Sequence, residues 1–215
     1  MIALALFIKT FFGFFAVMDP IGAIPAFIGM TATNSELERR AMVLRASLAA
    51  FAVLFFFGLT QMWVFTFFGF TMGAFRVAGG LLLLLIAIDM MSAHLAGARQ
   101  SEEEAAEGTE KADISITPLA VPLLAGPATI ASVVLAFSLA RGVVDYVAVC
   151  TALVLVCTAS WAVLRVAGRL ERLLGTTGIK VISRMMGLIL ASMAIQFVAE
   201  GLRDLFPILA HRPLF

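Results

Sequence analysis

The sequence predicts an all-α membrane protein: six transmembrane helices arranged as two inverted three-helix repeats, with helices one and four broken. Three observations carry this expectation. Of the 215 residues, 62% are hydrophobic and 13% charged, and the mean hydropathy is +1.05, whereas soluble domains average about 45–50% apolar and about 25% charged residues. Two apolar runs are interrupted by matched proline pairs, Pro20 with Pro25 and Pro122 with Pro127. Between the two halves the composition turns abruptly acidic. A net charge of +1 supplies no basic field for a phosphate backbone, which excludes nucleic acid as a partner.

Apolar segments near 3–30, 42–68, 70–92, 115–139, 143–166 and 180–203 are each long enough to cross roughly 30 Å of hydrocarbon as a helix. The first lacks a basic start and a small-residue cleavage site, and Asp19-Pro20 interrupts it, so it reads as a span rather than a signal peptide. Thr33-Asn34-Ser35-Glu36 is a capping-type start that lets the second helix begin outside the lipid. Gly69-x3-Gly73 and Ala78-Gly79-Gly80 read as close helix packing. From 98 to 113 the chain runs through Gln100-Ser101-Glu102-Glu103-Glu104 to Glu110-Lys111 without apolar periodicity. The organisation expected is a first three-helix repeat at 1–95, an acidic cytoplasmic linker at 96–114, a second, inverted repeat at 115–205 and a tail at 206–215. Cys150 and Cys157 share one helix face as packing residues, too far apart for a redox or zinc pair.

The halves are related. Pro20-x4-Pro25 matches Pro122-x4-Pro127 at an offset of 102, and Arg76-x2-Gly79 matches Arg184-x2-Gly187 at an offset of 108. An odd number of spans per half makes the second half enter from the opposite side, a plan recurrent among secondary transporters. Arg39, Arg40, Arg45, Arg99, Lys111, Arg165, Arg169, Arg172, Lys180 and Arg184 lie in or beside loops one-two, three-four and five-six, against Lys9, Arg76, Arg141, Arg203 and Arg212 on the other side. The basic excess puts those three loops in the cytoplasm and both termini outside it.

The breaks are the candidate site. Proline within a helix removes a donor and clashes with the carbonyl four residues earlier, costing about 3 kcal/mol, and in lipid the freed carbonyl needs a new partner. Two prolines five apart with Gly22 between them predict an unwound turn, with Asp19 as N-cap of a half-helix beginning at Pro20 and Gly126-Pro127 in the corresponding role. Half-helix starts offer amide donors to a carboxylate, and freed carbonyls suit a cation. The candidate substrate-binding residues are Asp19, Pro20, Gly22, Ala23, Pro25, Pro122, Ala125, Gly126, Pro127, Ala128 and Thr129. Asp19 stands out because an ionised carboxylate at a span centre costs about 2.5–3.5 kcal/mol and normally faces a cavity, a partner or a permeation path. Arg76, Arg184, Asp89 and Gln196 are candidates for gating or counter-ion roles. Enzymatic chemistry is not expected: His94 and His211 stand at a span end and beside the C-terminus, and no metal-ligand cluster or phosphate loop is present in the sequence.

Asp19-Pro20-Ile21-Gly22 with Pro25, Phe75-Arg76-Val77-Ala78-Gly79-Gly80, Pro118-Leu119-Ala120-Val121-Pro122 with Ala125-Gly126-Pro127-Ala128-Thr129-Ile130, and Ile182-Ser183-Arg184-Met185-Met186-Gly187 with Gln196-Phe197 together resemble the MarC family of bacterial inner-membrane proteins. The resemblance covers nearly the whole chain in order and spacing. It implies six spans with inverted three-helix repeats, membership of the wider lysine-exporter superfamily, and a multi-pass protein of the bacterial inner membrane. The family's first motif has Asn or Asp before its Pro-x-Gly turn, so an ionisable group there is not needed by every member. Some relatives are regarded as transporters of small neutral amino acids. The expectation is therefore a secondary transporter, an exporter or exchanger of small solutes such as glycine or alanine, bound at the midplane between the broken helices. It needs no cofactor and is open to coupling to H+ or Na+. Its partners are the lipid bilayer and a small-molecule substrate, with a homo-oligomer left open. The alternatives are a non-transporting membrane scaffold and an exporter of an inorganic ion or toxic compound.

Overall fold

The computed structural model describes residues 2–92 and 115–206, and among these the chain is helical throughout, with no strand. The acidic linker at 96–114, the tail beyond Phe206, and His94 and His211 lie outside the described residues. In order the elements are α1 (Ile2–Met18), α2 (Ile24–Met30), α3 (Glu36–Phe68), α4 (Met72–Met91), α5 (Ser115–Leu124, wound as a π-helix), α6 (Pro127–Leu139), α7 (Val143–Arg165) and α8 (Ala167–Leu205).

Among the described residues four helices, α3, α4, α7 and α8, are long and apolar enough to cross a membrane, while α1 and α6 are shorter apolar helices. The six crossings expected from the sequence thus become four continuous helices and two divided segments, 2–30 and 115–139. The division falls at the prolines. With 13 residues, α6 is about 20 Å long, short of roughly 30 Å of hydrocarbon. Large apolar side chains, among them Phe56, Trp63, Phe67, Leu85 and Leu188, are exposed on the outside, as befits a protein whose solvent is lipid rather than water.

Boundaries follow local chemistry. The start of α3 precedes the apolar run because Ser35 and Glu38 form a reciprocal capping box, with Ser35 N donating to Glu38 Oε2 at 2.7 Å and Glu38 N donating to Ser35 Oγ at 3.3 Å. Arg39 then reaches back, its Nε donating to the Thr31 carbonyl at 2.9 Å and Nη2 to that of Ala32 at 3.3 Å, which closes the end of α2. At the far end of α3, Gly69 adopts φ 70°. It makes the turn into α4, and a Cβ there would meet nothing within 4 Å, so its role is conformational and not the close packing its spacing to Gly73 suggests. The expected connection between spans five and six is itself helical. It forms the start of α8, which bends at Gly175 (φ 64°, ψ 173°).

The most extensive helix pair is α4 with α8, running antiparallel and meeting through small residues. A Cβ on Gly73 would lie 3.0 Å from the Gly201 carbonyl oxygen, one on Gly80 2.8 Å from that of Ala194, and one on Gly187 2.9 Å from Met90 Cβ. At one end Arg76 pairs with Asp204. Around this pair, Leu83, Ala87, Leu190 and Ala194 form a small core that also takes in Val17 and Ala128. A larger core unites α1, α2, α3, α5, α6 and α7 with the start of α8, through Ala167 and Ile179.

Backbone-to-backbone contact of this kind has no slack. Gly201→Val, which would drive a Cβ to 2.7 Å from the Gly73 carbonyl oxygen, is expected to lower unfolding stability in detergent by about 1–3 kcal/mol, measured by thermal denaturation. Val at Gly29, where a Cβ meets nothing within 4 Å, is expected to have a smaller effect.

Candidate functional site

The first break is built by Asp19. Helical bonding continues up to it, Asp19 N donating to the Phe15 carbonyl at 2.9 Å, but Pro20 brings no N–H and the chain turns sharply. Asp19 adopts φ 40°, the one non-glycine residue with positive φ among those described. Its Oδ1 accepts the Gly22 N–H at 3.0 Å and its carbonyl accepts Ala23 N at 3.1 Å, so one residue closes the turn twice. Asp and Asn are the side chains that best bear this conformation, because they satisfy the local backbone themselves. The half-helix α2 starts only at Ile24, with Ala23 as its N-cap and Pro25 in its first turn. The expectation that Asp19 caps a helix beginning at Pro20 is therefore corrected: Asp19 caps a single turn that precedes α2.

The second break reaches a similar result without a charge. Ala125 N donates to the Ala120 carbonyl at 2.8 Å, the five-residue spacing of the π-helix in which Pro122 lies. Gly126 is extended (φ −72°, ψ 169°), Pro127 occupies the first turn of α6, and no side chain caps that helix. Its first turn, Ala128 and Thr129, is buried. The fold brings the two breaks into common cores: Met18, Ala23 and Ile24 with Leu124 and Ala125 in the larger, Val17 with Ala128 in the smaller.

Asp19 is 3% exposed. Directly against its turn lies Ser183 of α8, fully buried, whose Oγ has no hydrogen-bond partner. A crevice of about 90 Å³ opens between α1, α6 and α8 on the side of the breaks toward Ile2 and Leu139, lined by Lys9, Thr10, Ser132 and Glu200 among others. A second cavity of about 370 Å³, between α3, α4 and α6, reaches Pro127 past Gln61 and three phenylalanines.

Arg76, Arg184, Asp89 and Gln196 do not gather at the breaks. Arg76 is engaged with Asp204, Arg184 is exposed on α8, Asp89 is half-buried near the end of α4, and Gln196 donates to Glu200 Oε1 at 2.7 Å. Sequence reasoning passed over Ser183, Lys9, Thr10, Ser132 and Glu200. A signal for Ser183 was present: positions 183, 187, 190 and 194 hold Ser, Gly, Leu and Ala, a helical stripe that the structure buries, and a hydroxyl on it was bound to face the core.

An all-helical chain with a lipid-facing exterior and buried, proline-broken turns defines an integral membrane protein. It belongs to the MarC family: residues 4–206 match that family, described as MarC family integral membrane protein. Similar proteins include the UPF0056 membrane protein YhcE of Escherichia coli K12, 35% identical over 94% of both chains. A UPF0056 membrane protein of Methanocaldococcus jannaschii is 37% identical over 92% of this chain and 96% of its own. YvbG of Bacillus subtilis is 35% identical over 94% and 96%. No solved structure matches.

Because Asp19 holds its turn by an oxygen and a left-handed backbone, Asp19→Asn is expected to keep stability close to that of the parent. Asp19→Ala loses the cap and retains the strain, and is expected to cost about 1–3 kcal/mol, read from unfolding in detergent.

Proposed function

We propose that the protein is a secondary transporter of small solutes, an exporter or exchanger whose substrates are small neutral amino acids such as glycine and alanine. The observation that carries this reading is the carboxylate of Asp19, 3% exposed beside an unwound turn in an apolar segment. An ionisable group kept at such a position belongs with a cavity, a partner or a permeation path. Gly22, Ala23, Ala125, Gly126 and Ala128 keep bulky side chains away from both breaks, which suits a solute of few heavy atoms.

In this reading the substrate carboxylate meets the amides at the uncapped start of α6. The ammonium meets Asp19 and carbonyls freed at the breaks, and the crevice beside Lys9 and Glu200 is the approach from one face. Segments 2–30 and 115–139 count as broken spans, giving six crossings in two inverted repeats that rock about the site. Arg76 and Arg184 stand at opposite ends of the α4–α8 pair, where the gates of such a protein lie. The work is transport rather than catalysis, in the inner membrane of a bacterium, with the basic loops in the cytoplasm and both termini outside.

Purified protein in liposomes is expected to exchange radiolabelled glycine or alanine. Gly126 has backbone angles open to any residue, so Gly126→Val adds no backbone strain while covering the start of α6; in protein shown to be folded by thermal unfolding it should cut flux by about tenfold or more, equivalent to about 1.4 kcal/mol. Absence of exchange for every neutral amino acid tried, with the protein folded, would leave the scaffold reading in its place.

A further inference from the structure

We propose that the α3–α7 pair, at the end marked by Arg40 and Arg165, binds an anionic phospholipid, its phosphate among three arginines and an acyl chain in the groove beside them. No residue of either break takes part, and the site does not depend on flux. Its apolar part is a groove of about 370 Å³ between α3 and α7, lined by Leu44, Leu48, Phe51, Val154, Thr158 and Trp161 among others. Leu44, Leu48 and Val154 are exposed, so in a membrane the groove opens to lipid. Its polar part is a notch of about 50 Å³ where α2, α3, α7 and the start of α8 meet. Arg39, Arg40 and Arg165 line this notch, together with one carboxylate, Glu36.

Helical spacing joins the two parts. Arg40 stands one turn before Leu44 on α3, and Arg165 one turn after Trp161 on α7, so each arginine continues a stripe that lines the groove. The start of α3 and the end of α7 meet in the notch, and both stripes therefore become basic at the same end. Charge decides the occupant. Arg39 donates to the neutral carbonyls of Thr31 and Ala32, Arg165 lies over the Trp161 ring at 4.9 Å, and Arg40 pairs with Glu36 at 3.2 Å. Three guanidiniums against one carboxylate leave the notch positive. Each guanidinium has five N–H donors, and one stacked on a ring still presents its N–H edge, which suits phosphate oxygens. Trp161 links the parts, since it walls the groove and carries Arg165. A soluble anion would answer the notch alone and a neutral lipid the groove alone; a phosphodiester with hydrocarbon tails answers both, in the order in which they meet the membrane.

The test uses the purified full-length protein in detergent, stripped of lipid and titrated at fixed ionic strength with dioleoyl phosphatidylglycerol, dioleoyl phosphatidylcholine or inorganic phosphate, with thermal unfolding as the readout. Saturable stabilisation by phosphatidylglycerol is expected, well above that by the other two. The double variant Arg40→Gln with Arg165→Gln should need about tenfold or more phosphatidylglycerol for the same shift. Thr158 is exposed and its hydroxyl bonds within its own helix, to the Val154 carbonyl at 2.8 Å. Thr158→Trp should therefore match the parent without lipid, yet lose the response because the groove is filled. Arg172→Gln with Lys180→Gln removes two charges from exposed positions of α8 outside the notch and should leave the response unchanged. Equal shifts with the two lipids overturn the proposal, since the arginines would then select nothing. A shift with inorganic phosphate as large as that with phosphatidylglycerol replaces the lipid by a soluble anion, and an equal loss in the α8 variant reduces the effect to general surface charge; either overturns it. So does the absence of any response to phosphatidylglycerol, or a response that survives either the arginine variant or Thr158→Trp.

Discussion

The bond from the Gly22 N–H to Asp19 Oδ1 carries an unusual share of this architecture. It lies in a buried segment where water is not available to satisfy a broken helix, and where an unpaired backbone group costs several kcal/mol. Without it the turn at 19–23 would have a left-handed residue and a proline and little to hold them. With it, one apolar segment becomes two helices with different tasks: α1 packs on α7 and α6, while α2 meets α8. The same bond keeps a carboxylate inside the protein, because the oxygen that caps the turn brings its partner oxygen with it. Structural and chemical roles are therefore fused in one side chain.

Around this adaptable centre stands a less adaptable frame. The α4–α8 pair meets at glycines, with carbonyl oxygens where side chains would otherwise be, and is fastened at one end by Arg76 and Asp204. In lipid such close approach relies on dispersion and shape, since there is little hydrophobic gain from hiding one apolar helix behind another. The smaller core extends the frame to Val17 and Ala128, which flank the two breaks. The breaks are thus held from outside by rigid helices, while their own geometry rests on a few hydrogen bonds.

Much of this was legible in the sequence, for identifiable reasons. Proline bars a helix from running on unchanged, so the breaks could be placed near Pro20 and Pro127, whereas Pro25 sits in the first turn of α2 and Pro122 lies within the π-wound α5 rather than in an unwound turn. Ser35 with Glu38 announced the start of α3 ahead of its apolar run. What was not legible depended on partners distant in the chain. The pairing of Arg76 was hidden because Asp204, 128 residues away, gave no sign in the sequence of being opposite it. Asp19 read as the cap of a helix starting at once, because a turn intervening before Ile24 is decided by φ at one residue and not by composition. Ser183 was hidden by its neighbours in sequence, Arg184 and Gly187, which drew the attention that spacing alone would have given to the hydroxyl. The π winding of α5 has no local signature in Ser115–Leu124 that separates it from an ordinary α-helix.

The corner at Arg39 gives the first break a mechanical dimension. A seven-residue helix forms too few internal bonds to hold a direction of its own, so α2 behaves as a strut pinned at two points: the Asp19 turn at its head and the Arg39 grip on Thr31 and Ala32 at its foot. Its head and foot thus tie the charged start of α3 to the turn that holds the buried carboxylate. The charged corner outside the apolar run and the buried acid inside it are accordingly two ends of one rod.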